Sequence, residues 1–176
     1  MGEVEERIRE TRQACRHFAM LYFQFCRTLV EEFGEEVAFR IAQKSIFNLS
    51  LDRTDRIRDY ALEEGIATGV EEFRQVNDLP YAAWKCWEPA MGGMRCPYAQ
   101  QWVTYYDAFP WFRRFASMYC DVIDTTNIEN FTRTHSHRIT SNLLWGDPAC
   151  DREYFESEEV KGGKFTYGSR PAEDVL

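Results

Sequence analysis

Residues 18–34 of the chain read FAMLYFQFCRTLVEEFG, and this stretch determines how the first part of the sequence folds. Its apolar side chains recur at spacings of three and four, as in the series Ala19, Phe23, Cys26 and Val30. Such spacing predicts an amphipathic helix. Charged residues fill the preceding turns, and Gly34 is a typical C-terminal stop. The sequence therefore predicts one long helix over residues 3–33.

Two further helices are predicted, over residues 35–48 and 54–76. Asp52 and Thr54 are residue types that cap helix N-termini, and they favour a new helix start at this position. Gly65 lies inside the second of these helices, where it either weakens the helix or allows close packing. Three helices in this order predict an N-terminal helical bundle.

The pattern changes after Pro80, where aromatic residues become frequent. The sequence then predicts a strand over 81–87, a turn over 91–94, helices over 97–106 and 110–125, extended chain over 132–145 and a return strand near 154. Helices first and a small antiparallel sheet late are typical of the α+β class. We interpret residues 1–156 as a single α+β domain and residues 157–176 as a polar C-terminal tail.

Composition restricts the partners of the chain. The net charge is -8, from 29 acidic and 21 basic residues. An acidic chain repels phosphate backbones, which argues against nucleic acid as a partner. No apolar run reaches the roughly 18 residues that a membrane span needs, and the acidic N-terminus is not a signal peptide. The sequence therefore predicts a cytoplasmic protein with reduced cysteines, and it leaves a homo-oligomer open.

The predicted helix over 110–125 places three chemically useful side chains along one face. Cys120 and Asp124 are four residues apart, and Arg113 lies two turns earlier. A thiol beside a carboxylate and a guanidinium is an arrangement that suits a nucleophilic or ligand-binding site. The alternative is structural, with Cys120 as a small buried apolar residue and Asp124 as a cap for the chain that follows.

His135 and His137 are two residues apart, so on a strand they point to the same side. Such a pair can supply acid–base catalysis near neutral pH or bind a metal. The alternative is a solvent-exposed strand with alternating polar residues. A zinc site drawn from these histidines and nearby cysteines matches no standard ligand spacing, so the sequence predicts no metal and no cofactor.

Three more residues lie where the local backbone could direct them into a site. Cys96 precedes Pro97 at a predicted helix N-terminus, and the helix dipole favours a thiolate there. Asp147 and Cys150 lie in a turn that follows the predicted extended chain. The structural alternative for Asp147 and Cys150 is a side-chain-stabilised turn that closes a hairpin, and Cys96 also has a purely structural alternative.

These residues follow a pattern along the chain: Cys96-Pro97 before Trp102, Tyr119-Cys120 before Asp124, then Phe131, and finally Gly146-Asp147 before Cys150. With this pattern, residues 10–156 resemble the L-2-amino-thiazoline-4-carboxylate hydrolase family. The resemblance implies a hydrolase that acts on a small five-membered ring whose C2 carbon carries a sulfur and two nitrogens. Water would add at C2, and the ring C–S bond would break to give an N-carbamoyl cysteine.

The resemblance also implies roles for the residues. Cys120 would attack C2, Asp124 would grip the cationic amidine, and His135 or His137 would move protons. Direct attack by water, with Asp124 as the base, is the alternative to a covalent intermediate. The residues expected to bind the substrate, with an arginine on its carboxylate and an aspartate on its amidine, are Arg113, Arg138, Asp147, Cys150, Cys96 and Trp102.

The sequence leaves two other functions open. All five tryptophans lie after Pro80, which is compatible with a non-catalytic binding or sensory module that has an aromatic-lined pocket. The long first helix is compatible with a protein-interaction subunit.

Overall fold

The computed structural model describes residues 2–79, 81–84 and 96–165. Its helices and strands are, in order, α1 (Glu3–Phe33), α2 (Glu35–Glu63), α3 (Val70–Val76), α4 (Pro97–Trp102), α5 (Phe112–Thr132), β1 (His135–Ser141), β2 (Asp151–Glu156) and α6 (Glu158–Lys161). β1 and β2 form a two-stranded antiparallel sheet. Long helices first and a small antiparallel sheet late confirm the predicted α+β class.

The contacts of the chain divide it into two compact units. The first unit comprises Met1–Phe39, Leu79–Ala116 and Ser141–Asp151. The second unit comprises Arg40–Asp78, Ser117–Thr140 and Arg152–Leu176. The five boundaries fall inside α2, after α3, inside α5, at the end of β1 and at the start of β2. Each unit is therefore assembled from three separate stretches of sequence.

α1 ends at Phe33 because the next residue adopts a backbone conformation that only glycine takes readily. Gly34 has φ 78° and ψ 161°. Its N–H donates to the carbonyl of Val30 at 3.0 Å and closes the last turn of the helix. The predicted helix over residues 3–33 is confirmed.

Aromatic rings fill the core of the first unit, where α1 packs against α4. Trp102 is fully buried, and its indole N–H donates to the carbonyl of Ala19 at 3.0 Å. The ring of Phe23 stacks on Tyr105 with centroids 3.9 Å apart and meets the edge of Phe112 at 4.9 Å. The polar N–H of the tryptophan is thus satisfied inside an apolar core, which removes the cost of burying it.

α2 runs without interruption through the break that the sequence predicts near residue 50. The hydroxyls of Ser50 and Thr54 are both buried, and each lies 2.7 Å from the side-chain amide of Asn127 on α5. Thr54 also donates to the carbonyl of Ser50 at 2.6 Å. Thr54 is therefore an interior residue of α2 and not an N-cap, because these buried hydrogen bonds outweigh a capping preference of about 1 kcal/mol.

α2 then ends inside the helix that the sequence predicts over 54–76. Gly65 has φ 68°, and its N–H donates to the carbonyl of Leu62 at 3.2 Å. The N–H of Ile66 donates to the carbonyl of Ala61 at 2.8 Å. This pair of hydrogen bonds is the Schellman motif, which needs a left-handed residue just after the helix. The single predicted helix is wrong for this reason, and the chain forms the end of α2 and the separate α3.

Apolar side chains from α2, α3 and α5 form the core of the second unit, and they are Ile57, Ala61, Phe73, Ile128 and Phe131. Phe131 is fully buried, with its ring centroid 5.2 Å from that of Phe73. Burial of one such ring contributes roughly 2–3 kcal/mol. Tyr154 of β2 packs against this cluster, so the hairpin is anchored on the same core.

α5 is longer than the predicted helix over 110–125 and continues to Thr132. The hydroxyl of Thr132 donates to the carbonyl of Ile128 at 2.8 Å, and Arg133 then takes φ 59°, which ends the helix. Extended chain starts only at β1, later than predicted. The predicted return strand near residue 154 is confirmed by β2.

Predictions for the shorter segments have mixed outcomes. Residues 81–84 form a 3₁₀ turn and not the start of a strand, whereas 85–87 and the predicted turn over 91–94 lie outside the described residues. α4 and the 3₁₀ turn after it confirm the helix over 97–106. The predicted tail begins with α6, whose first turn is capped by the hydroxyl of Ser157. None of the helices in the described part of the chain has the length and apolarity that crossing a membrane requires.

Candidate functional site

The hairpin of the second unit turns one row of side chains inward. Along β2, Arg152 and Tyr154 are half-buried, whereas Glu153 is exposed. Along β1, His137 is 4% exposed, whereas its neighbour Arg138 is exposed. Residues 151–154 of β2 follow the two-residue period of a strand, whereas on β1 the neighbour Ser136 is also buried, at 3% exposure. His137, Arg152 and Tyr154 therefore line the inner face.

His137 is the buried histidine of this face. Its Nδ1 lies 3.0 Å from the hydroxyl of Thr125 on α5, and its buried Nε2 has no hydrogen-bond partner among the described residues. Burial lowers the pKa of His137 from 6.5 to about 4; the negative charge of Asp124 opposes this shift, and the positive charge of Arg152 adds to it. The imidazole is therefore neutral at physiological pH.

Asp124 and Arg152 form an ion pair beside this histidine. Arg152 donates from Nε at 3.0 Å and from Nη2 at 2.7 Å, and both bonds go to Oδ2 of Asp124. The side chain of Asp124 is 33% exposed and that of Arg152 is 23% exposed. The pair is thus partly shielded from water yet within reach of a small molecule.

Tyr154 adds a phenol to the inner face. Its ring centroid lies 5.8 Å from that of His137, with the planes inclined at 31°. The guanidinium of Arg74 lies 5.8 Å from the tyrosine ring centroid, and its side chain hydrogen-bonds Tyr154. Burial, followed by the negative charge of Asp124, raises the pKa of Tyr154. The phenol therefore keeps its proton and remains a hydrogen-bond donor.

Cys120 lies one helical turn before Asp124 on α5. The thiol is half-buried and is not part of a disulfide. Residues four apart share a helix face, so Cys120 and Asp124 lie on the same side of α5. The second unit thus carries a thiol, a carboxylate and a neutral imidazole on neighbouring elements.

The other two expected site residues on β1 have local partners. His135 is half-buried, and its Nδ1 lies 2.9 Å from the hydroxyl of the adjacent Thr134. Arg138 is exposed on the outer face, where its Nε donates to Glu153 at 2.8 Å. His135 and His137 therefore differ in burial and in hydrogen bonding, although the sequence spacing treats them alike.

Asp147 and Cys150 belong to the first unit, where they shape one loop. Asp147 accepts the N–H of Asn142 at 2.8 Å and returns its own N–H to the Asn142 carbonyl at 3.3 Å. The Cys150 sulfur accepts the N–H of Leu143 at 3.4 Å and lies 3.7 Å from the Asn142 amide oxygen. These contacts are those of a turn stabilised by side chains.

The remaining expected residues also lie in the first unit. Cys96 is buried and caps α4, since its sulfur accepts the N–H of Ala99 at 3.5 Å. Trp102 is the fully buried core residue described above. Arg113 places its guanidinium 4.7 Å from the ring centroid of Tyr106. Each of these three side chains contributes to the local packing of the first unit.

A surface groove of about 500 Å³ runs along α1 in the first unit. Its lining is mainly basic and polar and includes Arg9, Arg12, Arg16, His17 and Gln101. Its lining includes no Phe, Tyr or Trp side chain and no expected site residue. The groove therefore differs in chemistry from the aromatic-lined pocket that the sequence leaves open.

The sequence prediction missed three residues of this site: Arg152 and Tyr154 on β2, and Thr125 on α5. Arg152 and Tyr154 alternate with acidic residues in the segment Asp151-Arg152-Glu153-Tyr154, and this period of two was a usable signal. Thr125 carried no such signal, because its role depends on how α5 meets β1.

The described residues contain no group of three or more His, Cys, Asp or Glu side chains placed to hold a metal ion. Comparison of the chain with protein-family models, with curated proteins and with solved structures finds no match. Function is therefore inferred from the chemistry of the inner face and from the sequence pattern.

Proposed function

We propose that the protein is a small-molecule hydrolase that opens a compact cyclic amidine bearing a carboxylate, with L-2-amino-thiazoline-4-carboxylate as the first substrate to test. The observation that carries the proposal is the buried, neutral His137, whose Nε2 has no partner among the described residues. A buried polar atom without a partner is costly and needs an explanation, and a hydrogen bond completed by a bound substrate would supply one.

Asp124 has the charge that this substrate needs. An amidinium is planar and carries two parallel N–H donors, which match the two oxygens of a carboxylate. Binding to Asp124 would hold the amidine protonated, and a protonated amidine has a more electrophilic C2 carbon. The same carboxylate lies close enough to His137 to affect its pKa.

His137 is suited to moving the proton. Its pKa of about 4 keeps the imidazole neutral and able to accept a proton. The imidazolium, once formed, is a stronger acid than an ordinary histidine and readily gives the proton up. In the direct route, water adds its oxygen to C2 and passes a proton to His137. The C2–S bond then breaks, the leaving sulfur takes that proton, and loss of a second proton from the C2 hydroxyl leaves a urea carbonyl.

Cys120 supplies the alternative covalent route. Its sulfur would bond to C2, the ring C–S bond would break, and water would later displace the cysteine to give the same urea. Both routes consume one water and release one new thiol on the product. A cytoplasmic location is part of this proposal, because Cys120 is a reduced thiol and such thiols persist there.

The test is a turnover assay that follows the new product thiol after the protein has been removed. We expect activity from the wild-type chain and a loss of about 100-fold or more in kcat for His137→Gln and Asp124→Asn. Cys120→Ser separates the two routes, since only the covalent route requires sulfur. His17→Gln is the matched histidine control, because His17 is an exposed residue of α1 in the first unit.

Three outcomes would change the proposal. Absence of turnover, together with thermal stabilisation by the compound, would favour the non-catalytic binding module. A loss in His135→Gln equal to that in His137→Gln would remove the distinction between the two histidines. Absence of both binding and turnover would exclude this substrate class.

A further inference from the structure

The Asp124–Arg152 ion pair is geometrically incomplete. Both guanidinium donors converge on Oδ2, at 3.0 and 2.7 Å, instead of forming two parallel bonds to the two oxygens. Parallel bonds from a planar cation to both oxygens are the stronger arrangement. Arg152 bonds only one oxygen of Asp124 through these two donors, whereas a planar amidinium could bond both oxygens in parallel.

The pair also differs from the ion pair that joins the two strands of the hairpin. Arg138 and Glu153 meet on the outer face with 67% and 51% of their side chains exposed, where water screens their charges. Asp124 and Arg152 face inward at 33% and 23% exposure, and both charges lie close enough to His137 to affect its pKa. Removal of one partner from the inner pair would leave a poorly hydrated charge.

We propose that the Asp124–Arg152 pair stands in for the ligand and is exchanged on binding for a zwitterion. Asp124 takes the amidinium of the ligand, and Arg152 takes its carboxylate. The inference rests on the proposed function for the identity of the ligand, and it adds Arg152 as the carboxylate-binding residue. The exchange keeps every charge compensated, because one internal pair is replaced by two pairs with the ligand.

Selection for zwitterions follows from this exchange. A ligand with only a cation would occupy Asp124 and take from Arg152 the carboxylate with which it pairs in this structure. A ligand with only an anion would occupy Arg152 and take from Asp124 the guanidinium with which it pairs. Each singly charged compound should therefore bind more weakly than the zwitterion, by about tenfold or more.

Calorimetric titration of the full chain tests the inference with three probes of similar size. The probes are L-2-amino-thiazoline-4-carboxylate, the cation 2-amino-2-thiazoline and the anion tetrahydrothiophene-2-carboxylate. We expect the zwitterion to bind tightest. Equal affinities for the zwitterion and either singly charged probe would overturn the inference, and this measurement needs no variant.

Two variants then give crossed changes in selectivity that a merely structural role would not produce. Arg152→Gln releases Asp124, so affinity for the cation should rise while affinity for the zwitterion falls. Asp124→Asn releases Arg152, so affinity for the anion should rise instead. If Arg152→Gln fails to fold, Arg152→Lys takes its place in the test. The lysine keeps the charge, so this variant should retain the wild-type preference for the zwitterion. Glu153→Gln breaks only the outer pair and should leave all three affinities unchanged.

Binding and turnover are measured on the same samples, so the two proposals can fail separately. Tight zwitterion binding with the crossed changes, but without product, would refute the hydrolase and retain the exchange. Turnover with no preference among the probes, or equal losses for all probes in both variants, would refute the exchange and retain the hydrolase.

Discussion

The Nδ1 atom of His137 and the hydroxyl oxygen of Thr125 lie 3.0 Å apart, and this hydrogen bond joins β1 to α5. A second bond lies beside it, where the hydroxyl of Ser136 donates to Glu129 at 2.6 Å. Thr125 and Glu129 are four residues apart and share one face of α5. The start of β1 is therefore fixed to the helix by two adjacent buried bonds, which set the orientation of the His137 ring.

The adjacent threonines of α5 give a test of this contact. Thr125→Val removes the hydroxyl that bonds His137 and leaves buried Nδ1 without a partner, so we expect a loss of about 1–2 kcal/mol in the free energy of unfolding. Thr126 is also buried, but its hydroxyl has no hydrogen-bond partner among the described residues. Thr126→Val should therefore leave stability unchanged or raise it by about 1 kcal/mol.

Urea unfolding at neutral pH measures both variants, with the slope of the transition checked for two-state behaviour. The two substitutions change the same atoms on neighbouring residues, so each serves as the control for the other. Equal destabilisation by both would show that the Thr125 bond contributes nothing beyond packing.

Burial of His137 predicts a specific dependence of stability on pH. Its pKa falls from 6.5 to about 4 on folding, so the unfolded chain binds the proton more tightly. Above pH 6.5 the titration of His137 does not reduce the free energy of unfolding. As the pH falls from 6.5 towards 4, protonation of the unfolded chain lowers that free energy by roughly 3 kcal/mol in total. Stability measured from pH 7.5 to 4.5 should fall more steeply for the wild-type chain than for His137→Gln. Parallel curves would mean that His137 titrates normally in the folded state.

Cysteine alkylation should follow the burial of the thiols. Burial raises the pKa of Cys26 to about 12, against a lowering by its hydrogen bond with Tyr22, so this thiol is neither accessible nor ionised at pH 8.5. Cys120 and Cys150 are half-buried. Brief treatment of the folded protein with iodoacetamide, followed by peptide mass spectrometry, should label Cys120 and Cys150 before the buried Cys15, Cys26 and Cys96. Labelling of Cys26 at the same rate would contradict the described burial, and labelling in urea gives the reference rates.

Local sequence pattern was sufficient to predict α1 and the helix at 97–106, because both ends of α1 and the Pro97 start carry local signals. It failed at Thr54, where a residue type that usually caps helices lies inside α2 and bonds Asn127, 73 residues away. Such a contact outweighs a local preference, and a prediction from neighbouring residues cannot include a partner so far along the chain. Gly65 was recognised as unusual, but its position alone did not distinguish a packed helix interior from a left-handed stop.

The candidate site shows the same division. Spacing along one element predicted that Cys120 and Asp124 share a side of α5, and it pointed to His135 and His137 as a pair. It could not predict that Arg152 pairs with Asp124 or that Thr125 bonds His137, because these contacts join β2 and β1 to α5. Nor did it separate His137 from His135, since the difference between them is burial.

The role of Trp102 can be settled by one conservative substitution. The sequence pattern assigns Trp102 to the substrate, whereas its fully buried ring donates to the carbonyl of Ala19 within the first unit. Trp102→Phe removes this hydrogen bond and leaves a small cavity, so we expect a loss of about 2 kcal/mol in unfolding free energy. The KM of the proposed reaction should not change, because a core residue affects stability and not substrate binding. Trp145→Phe is the matched control, since Trp145 is 48% exposed and its replacement should cost less than about 0.5 kcal/mol. A raised KM with unchanged stability in Trp102→Phe would instead place this ring against the substrate.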